Sequence, residues 1–372
     1  MSNARKLADN LPSEGQLGNR RLNINGDMKI AQRAISAATS DGTEGYKTLD
    51  RWYILYSSGA GGAATMSQDT TVPNTSFANS LKLDVTTADT SIDANHAITL
   101  QYRFEAQDIA NSGWDYTNSN SNMSVSFWAR SVKAGTYCVF FLTQDGTQKS
   151  LVQEYTLAAN TWKFVTLTFK GDSGISFADD NGHGLTVGWT LVAGSNRYQS
   201  ATAGTWIERS SGNNQARYAT SNQVNFFDST SNDFYLTGVQ IEVGSQSTPF
   251  EHEPVGVTMN KCQRYYQRQL PMNGTGVVHS SGTMVARLKC PLPVTMRVSP
   301  TVSIIGTPPA YDGSAVYNVT GINSQWTTPN LAELDINISG SLTTGRAVMF
   351  YNEQSINQGL QSAHGIALDA EL

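Results

Sequence analysis

The feature that most constrains this chain is a series of short stretches, from Ser80 to about Gly244, in which apolar and polar residues alternate. Successive side chains of a β-strand point to opposite faces, so a period of two predicts strands with one buried face. The clearest examples are SLKLDVTT, HAITLQYRFE, MSVSFWARS, TWKFVTLTFKGD, GLTVGWTLVAG and DFYLTGVQIEVGS. Polar turn sequences separate these stretches. The pattern predicts a mainly β fold, an antiparallel jelly-roll β-sandwich.

Changes in composition along the chain predict its division into parts. These are an attachment arm at 1–20, the jelly-roll β-sandwich at 21–248, and a smaller C-terminal β domain at 249–372 entered through one short helix at about 256–269. The dipeptide Asn25-Gly26 predicts a turn near the start of the sandwich. Pro249 and Pro254 mark the second boundary, because proline biases the preceding residue away from helix.

Charge and hydropathy narrow the range of partners. Charged residues make up 15% of the chain and the net charge is −5, so no overall positive field would attract nucleic acid. Apolar runs fall short of the roughly 18 residues that span a bilayer, so we expect no membrane insertion. The N-terminus lacks the order of a secretory signal, and we therefore expect synthesis and folding in a cytoplasm.

Signatures of catalysis are missing from the sequence. It contains no G-x-S-x-G, no metal-binding histidine spacing and no phosphate-binding glycine loop. Glycoside hydrolysis needs two carboxylates a few ångströms apart, and no spacing selects such a pair. Cys138, Cys262 and Cys290 cannot all pair, which favours buried thiols over a disulfide framework. The sequence therefore predicts a protein that is not an enzyme.

One loop is rich in oxygen ligands. The sequence FADDNGHG places Asp179, Asp180 and Asn181 together. Calcium binds such carboxylate and carbonyl groups and often stabilises loops of this kind. The loop lacks the alternating acidic pattern of a dedicated calcium site, so a plain turn is favoured over a calcium site, and no cofactor is expected.

Aromatic residues in polar loops predict a different site. Trp114 and Tyr116 lie in GWDYTNSNSN, and Tyr198 and Trp206 lie in or near other polar loops. An exposed ring can stack on the C–H face of a sugar while neighbouring amides bond its hydroxyl groups. These four residues are the candidate glycan contacts. The alternative is that each ring fills the edge of the sandwich.

The stretch KCQRYYQRQL carries the helical signal of the C-terminal part. Cys262, Tyr265 and Tyr266 recur at a helical spacing, and Arg264 lies beside them. The three basic residues of the stretch, Lys261, Arg264 and Arg268, are too few for nucleic-acid binding in an acidic chain. We expect Cys262, Arg264, Tyr265 and Tyr266 at a junction between two β domains or between subunits.

Four stretches together resemble bacteriophage tail-fibre and other virion appendage proteins. They are LNINGDMKIAQR, GYKTLDRWYI, VSFWARSVKAGTYCVFF and LTGVQIEVGSQSTPFEHEPVGVTMNKCQRYYQR. The C-terminal PVTMRVSPTVSI and DAEL are similar to the module that follows in such proteins. The sequence departs from the pattern at Ala34, where glycine is common, and at His252-Glu253-Pro254, where a basic residue is usual. The resemblance covers nearly the whole chain after residue 20.

The resemblance implies a structural protein of the virion. Its expected role is a tail fibre or fibre tip that attaches to host-surface glycan, assembles as a homotrimer and contacts other virion proteins through the arm at 1–20. An architectural neck, collar or capsid-decorating fibre without receptor binding is the main alternative. A polysaccharide depolymerase is the third possibility, although no acid/base pair can be named for it.

Overall fold

The computed structural model describes residues 20–198, 203–209, 217–270, 274–279, 282–350 and 364–372. The chain divides into two units, Met1–Thr258 with Leu372 and Met259–Glu371. The predicted arm lies outside the described residues except for Arg20. In the described ranges, no helix is long and apolar enough to cross a membrane.

The outer strands of the first unit alternate between buried and more exposed residues, as in Trp52–Ser57 and Ser80–Thr87. The central strands Ala97–Glu105, Gly135–Thr143, His183–Ala193 and Asp233–Val243 are buried on both faces. The strands are β1 (Ser36–Ser40), β2 (Gly45–Tyr46), β3 (Trp52–Ser57), β4 (Ala63–Asp69), β5 (Ser80–Thr87), β6 (Ala97–Glu105), β7 (Asn122–Ser131), β8 (Gly135–Thr143), β9 (Lys149–Leu157), β10 (Lys163–Lys170), β11 (His183–Ala193), β12 (Ile207–Glu208) and β13 (Asp233–Val243). The helix α1 (Ala106–Ala110) follows β6, and 3₁₀ turns lie at Ser195–Arg197 and Phe226–Asp228.

Two antiparallel sheets pack face to face in this unit. Among the described residues, six strands follow the order β1-β4-β5-β13-β7-β10, and seven follow the order β12-β9-β8-β11-β6-β3-β2. The ring of Trp189 in the seven-stranded sheet lies 5.6 Å from that of Phe127 in the six-stranded sheet and 5.4 Å from Trp52. Each such buried side chain stabilises the fold by roughly 1.5–3 kcal/mol. The predicted antiparallel jelly-roll β-sandwich is confirmed.

A second apolar cluster lies on the outer side of the seven-stranded sheet. Phe140 of β8 points away from the main core and its ring packs 4.9 Å from that of Tyr218. Tyr218 and Ala219, both buried, belong to the segment between β12 and β13. This segment therefore covers part of the outer side of that sheet.

The second unit consists of strands that close on themselves. Its elements are the end of α2 (Val255–Gln263) and the strands β14 (Tyr266–Gln269), β15 (Thr275–Val278), β16 (Gly282–Pro291), β17 (Thr301–Ile305), β18 (Pro309–Tyr311), β19 (Val316–Thr328), β20 (Leu331–Leu342), β21 (Ala347–Phe350) and β22 (Gly365–Asp369). Among the described residues, the order β15-β16-β20-β19-β18-β21 makes a closed barrel, and β14-β22-β17 makes a small sheet. Closure removes the exposed edges that a sheet otherwise presents.

The predicted helix at about 256–269 is wrong in its second half. Helix α2 ends at Gln263, and Tyr266–Gln269 is strand β14, paired with β22. The side chain of Gln267 donates to the carbonyls of Gln263 and Val294. Backbone pairing with β22 outweighs a helical spacing that is carried by few apolar residues, because local propensity is weak beside tertiary contacts.

Candidate functional site

The structure corrects the expected exposure of the two tryptophans among the predicted glycan contacts. Trp114 is 3% exposed, and its ring lies 6.4 Å from both Phe141 and Phe177. Trp206 is 8% exposed, and its indole Nε1 donates to the carbonyl of Lys170 at 2.7 Å. Both rings fill the sandwich, so neither offers a face on which a sugar could stack.

The two tyrosines of that set are half-buried. The ring of Tyr116 packs 5.0 Å from Phe177 and 6.2 Å from Trp114, so the structure brings Tyr116 and Trp114 together. Tyr198 packs instead against the cluster on the outer side of the seven-stranded sheet, where burial raises the pKa of its hydroxyl. Glycan contact by Tyr116 or Tyr198 stays a prediction.

The predicted calcium loop has the contacts of a turn. Asp179 accepts a hydrogen bond from the side-chain amide of Asn111 at 2.8 Å, and Asp180 accepts one from the backbone N–H of Gly182 at 2.8 Å. Asn181, which follows Asp180, is exposed. In the described part of the chain, no group of three or more His, Cys, Asp or Glu residues is placed to hold a metal ion.

The predicted junction residues lie close together in the second unit. Cys262, Tyr265 and Tyr266 are 0%, 2% and 8% exposed, and the carbonyl of Arg264 accepts from the backbone N–H of Arg297 at 2.7 Å. Cys262 lies on α2, Tyr266 begins β14, and Arg264 and Tyr265 form the turn between them, so the four do not share one helix face. Their role at a junction or a subunit interface stays a prediction.

All three cysteines are buried and none forms a disulfide, as predicted from their spacing. Burial raises the pKa of Cys138 to about 11 and that of Cys290 to about 12. A thiol reacts through its thiolate, which these shifts suppress at neutral pH. The cysteines therefore act as small core residues.

The outer side of the six-stranded sheet carries a group of aromatic residues that we call the aromatic strip. It consists of Trp128 on β7, Phe164 on β10, Tyr235 on β13, and Trp162 just before β10. The neighbours of Trp128 in sequence, Phe127 and Ala129, are fully buried in the core. Alternation along β7 therefore turns Trp128 outward.

The first row of the strip crosses β10 and β7. Phe164 is directly opposite Trp128 in the strand register, their ring centroids are 5.3 Å apart, and Phe164 is 45% exposed. On the far side of Trp128, Gly238 has φ +61°, and an added Cβ there would come within 3.2 Å of the Trp128 ring. The bulge at Gly238 leaves room for the indole.

The second row crosses β10, β7, β13 and β5. The ring of Trp162 lies 6.0 Å from that of Tyr235, and the guanidinium of Arg130 lies 5.0 Å from the Tyr235 centroid. The ammonium of Lys82 lies 5.8 Å from the same centroid. These cations hold the tyrosine ring in place and add donors beside the aromatic faces.

Polar groups surround both rows. Arg130 donates to the backbone carbonyl and the side-chain oxygen of Asn160, each at 3.2 Å. The hydroxyl of Tyr235 donates to Asp233 at 3.3 Å, and Asp233 also lies 3.3 Å from the ammonium of Lys82. Burial, and next the charge of Asp233, raise the pKa of Tyr235, so its hydroxyl is protonated at neutral pH. Tyr235 itself is 6% exposed, so the ring surface that reaches solvent belongs to Phe164 and, in part, to Trp128 and Trp162. Ring faces of this kind beside donors and acceptors match the chemistry of a sugar.

The sequence reasoning missed the strip. Alternation in MSVSFWARS predicts Met123, Val125 and Phe127 on the buried face and so leaves Trp128 on the outer face. The available signal was an aromatic residue at a position where alternation predicts a polar one. That signal appears once in MSVSFWARS and again at Phe164 in TWKFVTLTFKGD.

Comparisons with known proteins find likeness in structure only. No protein-family model matches the sequence, and no curated protein matches it. Similar solved structures include a carbohydrate-binding module described as CBM4, with a TM-score of 0.29, 12% identity, and coverage of 59% of this chain and 97% of that one. The CBM22-1 xylan-binding domain of Paenibacillus barcinonensis Xyn10C has a TM-score of 0.28 and 9% identity, and the match covers 63% of this chain and 97% of that one. TmCBM61, solved with β-1,4-galactotriose, has a TM-score of 0.26 and 9% identity, and the match covers 60% of this chain and 98% of that one. At such low scores these likenesses say nothing about what this chain binds.

Proposed function

We propose that this chain is a non-enzymatic structural protein of a bacteriophage virion, a tail-fibre or fibre-tip subunit, that attaches to host-surface glycan through the aromatic strip. The observation that carries glycan attachment is the pair Trp128 and Phe164 on the solvent side of the six-stranded sheet. The sequence resemblance to virion appendage proteins supports the virion role. The low share of charged residues fits a protein that works on a particle outside the cell.

The strip suits a sugar better than a charged partner. The charge of Lys82 is compensated by Asp84 and Asp233. Arg130 uses two of its donors on the neutral Asn160 and lies over the Tyr235 ring, which holds its guanidinium in place. What stays accessible is ring surface with hydroxyl, amide and carboxylate groups around it. A stacked ring contributes about 0.5–1.5 kcal/mol beyond the area it buries, so one strip would bind weakly.

Weak single sites become effective when several are linked. We propose a homotrimer that joins other virion proteins through the arm at residues 1–20, so that three strips act together. Analytical ultracentrifugation is expected to give three times the chain mass of 40.3 kDa. A monomer at micromolar concentration would overturn this part of the proposal.

Binding to host cells and to their purified surface polysaccharide tests the strip. We expect Trp128→Ala and Phe164→Ala to weaken binding, while Ile35→Ala, which removes a 71% exposed side chain outside the strip, leaves it unchanged. Circular dichroism melts establish that each variant is folded. Equal binding by wild type and both strip variants would remove the strip as the glycan site.

The same variants separate attachment from an architectural role. A neck, collar or capsid-decorating fibre would use the strip against another virion protein, so Trp128→Ala would impair particle assembly and the wild-type chain would not bind cells. Gold labelling of the chain in intact particles is expected to mark a distal tip.

Incubation with host polysaccharide tests the depolymerase alternative. It is expected to release no new reducing ends, and their appearance would favour a depolymerase.

A further inference from the structure

The second unit carries an exposed tryptophan that the proposed function does not use. Trp326 lies on β19, on the outer face of the closed barrel, and is 50% exposed. It is directly opposite Glu333 on β20, whose neighbours Ala332 and Leu334 are fully buried inside the barrel. Half of a large apolar ring is thus held in solvent on a rigid sheet.

Neighbouring charges fix the position of this ring. The guanidinium of Arg287 on β16 lies 4.3 Å from the Trp326 ring. Arg287 in turn bonds both carboxylate oxygens of Asp335, at 2.9 and 3.1 Å. The imidazole of His279 lies 3.4 Å from the same carboxylate. Asp335 is 7% exposed, so this partly desolvated pair anchors the guanidinium, and through it the indole.

The rim of the ring offers both a donor and an acceptor. Lys289 is opposite Glu333 in the strand register, and its ammonium lies 3.7 Å from that carboxylate. At this distance the pair is loose, and the Lys289 side chain is 62% exposed. Both groups can therefore turn to hydrogen-bond a ligand that lies on Trp326. We call Trp326, Arg287, Asp335, Glu333 and Lys289 the barrel platform.

The charges of the platform favour a ligand without charge. Two basic residues face two acidic ones, and the fork of Arg287 is occupied by Asp335. An anionic ligand would have to displace Glu333 from Lys289, and a cationic one would displace Lys289 from Glu333, each leaving one charge without its partner. A neutral ring with hydroxyl groups needs neither displacement, because it stacks on the indole and bonds Lys289 and Glu333.

We propose that the barrel platform binds a neutral saccharide, as a second sugar site in a different unit from the aromatic strip. The site goes beyond the proposed function, because its ligand need not be the glycan that the strip binds. Trp326 is the stacking residue, Arg287 and Asp335 are positioning residues, and Lys289 and Glu333 contact hydroxyl groups.

The experiment uses the full chain and an immobilised panel of neutral hexose oligosaccharides and uronic-acid oligosaccharides. Trp326→Ala is expected to weaken binding to at least one neutral oligosaccharide about tenfold, which is about 1.4 kcal/mol and lies within the range of a stacked ring. Val316→Ala is the matched control, because Val316 is 45% exposed on the same strand. It is expected to bind the whole panel like wild type.

Further variants test how the platform works. Asp335→Asn frees Arg287 while keeping a similar shape, and we expect it to weaken the same neutral ligand and to strengthen uronic-acid binding. Trp128→Ala in the aromatic strip is expected to keep all Trp326-dependent binding, so failure of the strip and failure of the platform are distinguishable. The proposal is overturned if folded Trp326→Ala binds the whole panel like wild type, or if Val316→Ala loses the same ligand.

Discussion

Phe164 lies directly opposite Trp128 on adjacent strands, with ring centroids 5.3 Å apart, and both rings face away from the core. This relationship depends on the register of β10 against β7, because a slip of one residue would turn each side chain to the other face. Val165 and Phe127, their buried neighbours, fix that register through the core. The packing that stabilises the sandwich therefore also sets the spacing of the surface aromatics.

Trp114 and Phe164 are expected to respond in opposite ways to truncation. Trp114→Ala should lower the free energy of unfolding by about 3–5 kcal/mol and leave glycan binding per folded molecule intact, because the ring is 3% exposed in the core. Phe164→Ala should lower the free energy of unfolding by only about 1 kcal/mol, because the ring is 45% exposed and loses mainly its cross-strand contact with Trp128. Urea denaturation, with binding measured at equal folded concentration, checks both.

Trp114→Phe is the matched control for the first variant. The indole Nε1 of Trp114 is buried without a hydrogen-bond partner, so phenylalanine keeps most of the ring and removes an unsatisfied donor. We expect Trp114→Phe to be markedly more stable than Trp114→Ala. If Trp114→Ala had the same free energy of unfolding as wild type but lost glycan binding, Trp114 would be a glycan contact, as its loop sequence predicts.

The sandwich was predictable from the sequence because alternation with a period of two is a strong signal of strands with one buried face. The predicted exposure of Trp114 and Trp206 failed for a different reason. A loop rich in Asn and Ser predicts solvent exposure of the backbone, whereas a large ring in that loop still packs against the nearest open edge of the core.

The helix prediction failed because a segment distant in sequence determines the structure of Tyr266–Gln269. Tyr266–Gln269 pairs with Gly365–Asp369, about a hundred residues further along the chain, and nothing local in KCQRYYQRQL indicates this partner. The barrel platform has the same character. Arg287, Trp326 and Asp335 meet only because β16, β20 and β19 are neighbours in a closed barrel.

Gly26 is expected to tolerate no side chain. An added Cβ would lie 2.0 Å from the carbonyl oxygen of Val239, which also accepts from the side chain of Asn23. Gly26→Ala should therefore lower the free energy of unfolding by about 1–3 kcal/mol. Gly61→Ala is the control, since the nearest atom there is 3.4 Å away. Equal melting temperatures for the two variants would contradict this account.

Removal of calcium is expected to have no effect on stability. The carboxylates of Asp179 and Asp180 already accept hydrogen bonds from Asn111 and Gly182, which gives them the role of turn residues. A bound ion at a hundred times its Kd would add about 2.7 kcal/mol. Calorimetry with EDTA and with added calcium should give the same melting temperature. If EDTA lowered the melting temperature by several degrees and added calcium restored it, the loop would be a calcium site.

The protein is expected to lose stability in alkali. Burial raises the pKa of Tyr56 from 10.0 to about 12 and that of Cys138 from 9.0 to about 11. Each group is neutral when protonated, and the unfolded chain releases its proton at a lower pH than the folded one. The stabilisation is therefore fully present below pH 9 and is lost as the pH rises towards 12.

Tyr56→Phe isolates one of these groups. The variant loses the hydrogen bonds between Tyr56 and Thr39 at every pH, which costs about 1 kcal/mol, and it also loses the titrating hydroxyl. We expect the fall in the free energy of unfolding between pH 10 and 12 to be smaller in the variant, by on the order of 2 kcal/mol. Urea denaturation across this range measures how the free energy of unfolding changes with pH, separately from its value at any one pH. Parallel curves for the variant and wild type would show that the buried hydroxyl of Tyr56 does not set the alkaline limit.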